Sequence, residues 1–260
     1  MLEDDFCDVL RKALAGRGMT PDSLAAAAGI EIDRIQRLMR GDVDPEAAAA
    51  AGSALGLDPD ACRKHPSYQP PDAEVAGITR LELPFAGGSV NVWCIACDDG
   101  FVVFDAGFDV DECHAALHQV RPDPPQHVFV THGHRDHTGA LADWSRLGAV
   151  IHGPAGIAAS VMQPGDARTC GSLVITACDL SGHASPALGY LVSGLDVPVL
   201  VTGDAMFAGS IGGCATPAAY RHALERLRAV LAPLPGETVL LPGHGPPTTL
   251  EAERRANPFL

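Results

Sequence analysis

The chain has 260 residues, 47% of them hydrophobic and 19% charged, enough for one sizeable core with room for a smaller helical unit. Its formal net charge is −14, with 8 basic and 12 acidic residues before position 65 and 10 basic and 20 acidic after it, which argues against a polyanionic partner held by bulk electrostatics. No apolar run approaches the roughly 20 residues that span a bilayer, and the start, "MLEDDFCDVL", is acidic where a secretory signal is basic and then apolar, so a soluble, cytoplasmic protein with no membrane partner is expected.

Residues 1–64 read as helical throughout. Apolar residues recur at helical spacing in "FCDVLRKALAGRG", "TPDSLAAAAGI" opens on a Thr cap with Pro in the first turn, and "DPEAAAAAGSALGL" opens on Asp-Pro in the same way. The proline-rich "HPSYQPPDAEVAG" predicts a linker over residues 65–76. From Gly77 the texture changes to short β-type runs, among them "GITRLELP", "SVNVWCIAC", "GFVVFDAG", "HVFVTHG", "VPVLVTGDA" and "ETVLLPGHG". Helices are predicted between these runs at 111–120, 138–146, 217–231 and 248–255. The pattern predicts a mixed α/β domain over 77–260 preceded by a small all-α domain. Eight cysteines are scattered without the spacing of a disulfide scaffold. In the one C-x-x-C, Cys94 and Cys97 fall on opposite faces of a strand, which assigns them to the core.

Chemistry concentrates in "VFVTHGHRDHTGAL". Of eleven histidines, three lie here with an aspartate: His132, His134, Asp136 and His137. Four ligand-type side chains in six positions strain solvation unless a cation organises them. His183 in "DLSGHASPALGY", Asp204 in "VLVTGDAMFAGSIG" and His244 in "VLLPGHGPPTT" follow strands in the same way. Alone, each reads as a turn histidine or a helix cap. Together with the first cluster they supply enough ligands for two metals with positions left open for water or substrate.

The ordered series "THGHRDHTG", Gly-His183, "TGDAMFAGSIG", "PGHGPPTTLEAERRANPFL", with "SVNVW" and "VVFDAG" ahead of it, resembles the metallo-β-lactamase fold superfamily, and within it the glyoxalase II-type hydrolases, over residues 77–260. The resemblance implies a four-layer αβ/βα sandwich with a dinuclear site at one edge. It implies that His132, His134 and His183 bind one metal and that Asp136, His137 and His244 bind the other, with Asp204 bridging and Asp105 orienting a ligand from behind. Zinc is the first candidate, ahead of iron and manganese. Two divalent cations with two aspartates leave a charge of about +2, which lowers the pKa of a bound water towards roughly 7, so a metal-bound hydroxide is the expected nucleophile and Asp136 its expected proton acceptor. A thiolate leaving group needs little protonation, so a small acyl-thiol ester suits the site. Tyr190 and Arg135 are candidate substrate contacts, while His152 and His222 read as ordinary polar positions on a strand and a helix.

Three features depart from the family's pattern and argue against glutathione specificity: "GGCATPAAY" follows "GSIG" where many glyoxalase II-like and persulfide dioxygenase-like members carry Arg-Thr-Asp, the chain stops one helix after His244 with no lysine in the domain to hold glutathione, and "GHASPALGY" replaces the commoner G-H-T-P-G-S around His183. The rival chemistries are a mononuclear-iron persulfide dioxygenase and a lactonase. The helical segment, over about residues 8–62, resembles the helix-turn-helix domain of phage-repressor-type regulators, with Leu24, Ala25, Gly29, Ile35, Gly41 and Pro45 on its pattern. That resemblance raises a DNA-binding ligand sensor as an alternative. Against it, Pro21 stands where the family has a backbone-contacting Gln, and Glu31 and Asp33 open the would-be recognition helix. Packing on the hydrolase, dimerisation or covering the active-site mouth are the roles expected instead.

Overall fold

In the computed structural model, which describes residues 1–260, five helices lead the chain: α1 (Phe6–Arg17), α2 (Pro21–Ala28), α3 (Ile32–Met39), α4 (Pro45–Leu55) and α5 (Pro59–Lys64). Their ends obey the capping rules visible in the sequence. The side chains of Thr20, Asp44 and Asp58 accept from the amides of Ser23, Ala47 and Ala61, each with proline opening the helix. One 3₁₀ turn at His65–Ser67 follows, and then an extended stretch leads into the sheets.

The remainder runs β1 (Ile78–Phe85), β2 (Gly88–Cys97), β3 (Gly100–Phe104), α6 (Val110–Val120), β4 (His127–Phe129), α7 (Arg135–Thr138), α8 (Leu141–Arg146), β5 (Val150–Gly153), β6 (Ser160–Val161), β7 (Ala167–Cys170), β8 (Leu173–Asp179), β9 (Leu188–Ser193), β10 (Val199–Gly203), α9 (Pro217–Leu231), β11 (Val239–Pro242), β12 (Thr248–Thr249) and α10 (Leu250–Ala256). One sheet has the order β1-β2-β3-β4-β5-β6 and the other β12-β11-β10-β9-β8-β7. The helix predicted over 138–146 forms only as α8, from Leu141, and the single turn of α7 stands apart before it, ending at Thr138. The break follows from Gly139, whose amide donates to the Gly107 carbonyl at 2.7 Å and whose missing Cβ would lie 2.3 Å from the Phe108 carbonyl oxygen.

Strand alternation sorts side chains into three layers of core. On β3, Val102 and Phe104 face the second sheet while Phe101 and Val103 face α6 and α8. On β11, Val239 and Leu241 point between the sheets while Leu240 points to the helices outside. The same alternation puts Cys94 and Cys97 on opposite faces of β2. The result is the four-layer αβ/βα sandwich of the metallo-β-lactamase fold, with α6 and α8 outside one sheet and α9 and α10 outside the other.

The helical segment is continuous with that outer layer. Phe6, Leu10, Leu24, Ile35 and Leu55 share one core with Leu200, Met206, Ile211, Tyr220, Leu227 and Phe259. Polar ties cross the same boundary: the Asp58 amide donates to the Pro258 carbonyl at 2.8 Å, and Tyr68 Oη donates to the fully buried Glu253 carboxylate at 2.6 Å. No helix is long and apolar enough to cross a membrane.

Candidate metal centre

The seven ligand-type side chains come from four strand ends. After β4 the chain leaves its sheet and delivers His132 and His134 from the loop, then Asp136 and His137 from the single turn of α7. His183 follows β8, Asp204 follows β10 and His244 follows β11. Two contacts hold the edges of the sandwich together here: the Leu188 amide donates to the Thr131 carbonyl at 2.8 Å and the Asn91 amide to the Gly243 carbonyl at 2.7 Å.

The ligand atoms fall into two groups, His132, His134, His183 and Asp204 in one and Asp136, His137 and His244 in the other, each within 4.8 Å of one another. Asp204 sits between the groups. Its Oδ2 lies 3.4 Å from His183 Nε2 and 3.5 Å from His244 Nε2, and its Oδ1 lies 3.2 Å from His137 Nε2. His244 Nε2 is 3.2 Å from Asp136 Oδ2.

Behind this inner ring, partners on the far ring nitrogens orient the imidazoles. His183 Nδ1 donates to the Gly213 carbonyl at 2.7 Å, His244 Nδ1 to the Ser89 carbonyl at 2.6 Å and His137 Nδ1 to Asp105 at 2.7 Å. The Thr131 hydroxyl donates to Asp105 and accepts from His132 Nδ1 at 3.0 Å. Each arrangement leaves Nε2 facing inward. Asp105 holds its position with φ at +63°, a left-handed conformation that a non-glycine residue adopts only under constraint, and it ties the Thr131 amide as well.

The donor set fits divalent cations. His137 Nε2 and Asp204 Oδ1 are buried without a hydrogen-bond partner, which is costly for polar atoms that nothing else satisfies. Burial, reinforced by the neighbouring His137, pushes His132 down to about 3, so it is the neutral imidazole a metal requires. Burial alone would raise Asp204, yet the facing His137 and His244 hold it well below the usual carboxylate range. Burial likewise opposes the charged form of His244, but its hydrogen bonds to Asp136 and Asp204 carry it up to about 10. A cation supplies the same compensation to the carboxylates that these protonated rings supply without it.

The centre forms the floor of an open cleft of about 610 Å³. Its walls are Phe85, Phe108 and Phe207, together with Arg135, Glu3 and Lys12. Arg135, expected as a substrate contact, lies on this rim with its guanidinium 4.9 Å from the centre of the Phe108 ring. Tyr190 does not reach the cleft. It is fully buried between the sheets and its hydroxyl donates to the Val130 carbonyl at 2.6 Å, because inward alternation on β9 takes it into the core. Tyr190→Phe should therefore cost about 1 kcal/mol of stability, read by denaturant unfolding, and leave bound metal unchanged.

Several residues that build the centre carried no local signal in the sequence. Asn91 donates from its side chain to the Pro242 and Gly245 carbonyls on both sides of His244, and Trp93 Nε1 donates to Pro242 as well. Only the quoted "SVNVW" pointed to them, with no role attached. Gly243 is required by contact, since a Cβ there would lie 2.2 Å from Asp204 Oδ1.

Fold and site together define a metal-binding protein with the metallo-β-lactamase fold. Residues 86–172 match the family described as the metallo-beta-lactamase superfamily. The chain is 26% identical to the probable metallo-hydrolase YqgX of Bacillus subtilis over 205 residues, covering 68% of this chain and 95% of that protein. It is 35% identical to the hydroxyacylglutathione hydrolase GloC of Haemophilus influenzae over 82 residues, 31% of this chain and 38% of that protein. It thus spans less than half the length of that relative. Among solved structures, TTHA1623 in a di-iron-bound form superposes with a TM-score of 0.52 at 27% identity, covering 69% of this chain and all of that one.

Proposed function

We propose that this chain is a dinuclear-metal hydrolase of small thioesters, with zinc as the first candidate metal. The observation that carries the reading is the convergence of seven donor residues, with Asp204 between the two groups, at the floor of a cleft open to substrate. When bound, the two cations supply the charge that lowers the pKa of water and polarises a carbonyl oxygen. The chain's own residues do the rest. His132, His134 and His183 would hold one cation and Asp136, His137 and His244 the other, with Asp204 placed between the two groups. Asp136, facing the cleft and bonded to His244, is the proton acceptor on the nucleophile's side. Phe85, Phe108 and Phe207 cover the apolar part of the substrate and thin the water around the reacting carbonyl.

The names of the Haemophilus hydrolase and of the di-iron structure support the substrate class and the metal count respectively. The reading includes no DNA partner. Of the three arginines on and just after α3 that could meet DNA, Arg34 makes two hydrogen bonds to Asp44 and Arg37 lies 3.3 Å from Asp33, which leaves only the exposed Arg40 without an ion pair.

The test is metal content on protein purified without chelator, with His134→Ala alongside, followed by thiol release from a panel of acyl thioesters. About two metals per chain, depleted in the variant, with thiol release in the intact protein, is the expected result. A single iron with oxygen uptake on a persulfide would replace the reading by a dioxygenase. No bound metal after zinc or iron is supplied would end it.

A further inference from the structure

The helical segment reaches into the metal centre's cleft with two charged side chains, Glu3 and Lys12, of which Lys12 on α1 is the cation. Its ammonium donates to the Ile211 carbonyl at 2.9 Å and to the carboxylate of Asp4, and lies 5.0 Å from the centre of the Phe207 ring. Lys12 packs beside Gly213, the residue whose carbonyl orients His183. An ammonium has three donors; two are engaged, and the third is left for whatever occupies the cleft. Asp4 is buried, so the lysine is held in one place before a ligand arrives, and little further ordering is needed on binding.

A tie between α1 and the 211–213 loop alone would not call for a charge. Half-buried ion pairs roughly break even against apolar packing, and the surrounding α1 residues are already apolar. The placement makes sense as recognition. After residue 64 the chain has no lysine, and the other cation on the cleft, Arg135, is an exposed side chain lying over Phe108. Glu3, on the same segment, lines the cleft as well, close enough to feel the charges of His244 and Lys12.

We propose that Lys12 is the anchor for a carboxylate on the substrate, so that the helical segment completes the substrate site and selects acyl-thiols with one anionic group. Lys12 is a specificity residue: it holds the far end of the acyl chain while the scissile carbonyl lies over the metal centre. Glu3 narrows the choice by repelling a second anionic group. The acyl-thiol assignment rests on the hydrolase reading above, but the carboxylate anchor can be tested without it.

The test is binding of succinate and glutarate to the zinc-loaded full-length protein by calorimetry, each compared with its mono-amide. In the intact protein the dicarboxylate binds about tenfold more tightly than the mono-amide. Lys12→Met removes that preference and Lys12→Arg keeps most of it. Because Lys12→Met leaves Asp4 buried without its partner, the double variant Lys12→Met with Asp4→Asn is measured too, and it gives the same loss. A preference that survives in Lys12→Met and in the double variant overturns the proposal, as does equal weakening of both ligands, which marks a structural tie. Thiol release from the S-succinyl ester of N-acetylcysteamine and from its methyl ester separates the two readings. If neither is hydrolysed while the binding preference still follows Lys12, the thioesterase reading fails and the anchor stands.

Discussion

Replacing Asp204 by asparagine is expected to empty both metal positions at once and to lower hydrolysis by about 10³-fold or more, since a loss of some 4 kcal/mol in transition-state stabilisation corresponds to that factor. The geometry sets the size of the effect. Every other ligand belongs to one group, whereas Asp204 faces His183 and His244 with one oxygen and His137 with the other. Asparagine preserves the volume but leaves Asp136 as the single anion facing two cations, and it puts an amide among imidazole nitrogens that are already aimed inward. Metal analysis and thiol release on the purified variant check this. His183→Ala is the comparison: it removes one ligand from one group, so one metal should remain. If Asp204→Asn retained both metals, the bridging assignment would be wrong.

The seven side chains of the candidate metal centre were legible in the sequence because each is a polar side chain placed abruptly after an apolar β run, and because four of them are crowded into six residues. Asp105 was legible through the "VVFDAG" resemblance. What escaped were the residues that act across long sequence distances. Asn91 reaches carbonyls more than 150 positions away, and Lys12 reaches one 199 positions away, so no window of sequence contains both ends of either contact. Tyr190 failed for the opposite reason. Its match to a frequent aromatic position of the resembled family suggested the site, but the two-residue period of β9 turns it into the core. The reading of residues 65–76 as a linker rested on proline content. In the structure Tyr68, inside that stretch, is bound to Glu253 and approaches Thr248 at 3.3 Å, contacts that composition does not reveal.

Deleting residues 1–64 is expected to leave a chain that does not fold stably. Helical caps and a helix-turn-helix pattern suggest a unit that could be removed, but the packing argues otherwise. Met206, Ile211, Tyr220, Leu227, Leu250 and Phe259 are all buried in the core they share with α1 to α5. Gly16 of α1 lies so close to Tyr220 that a Cβ would come within 2.3 Å of the ring, a contact that leaves no room for water between the two parts. Uncovering a large apolar side chain costs about 1.5–3 kcal/mol, and a domain's whole stability is about 5–15 kcal/mol, so exposing several of these residues together exhausts the margin. Loss of the Lys12 contact to Ile211 and the Asp58 contact to Pro258 frees the loop before α9 and the C-terminus as well. Soluble yield and a thermal melt of the truncated chain decide the matter. A monodisperse fragment melting within a few degrees of the intact protein would show that α1 to α5 form an independent domain. Aggregation or a broad, non-cooperative melt is the outcome expected if the helices are the outer wall of the sandwich itself.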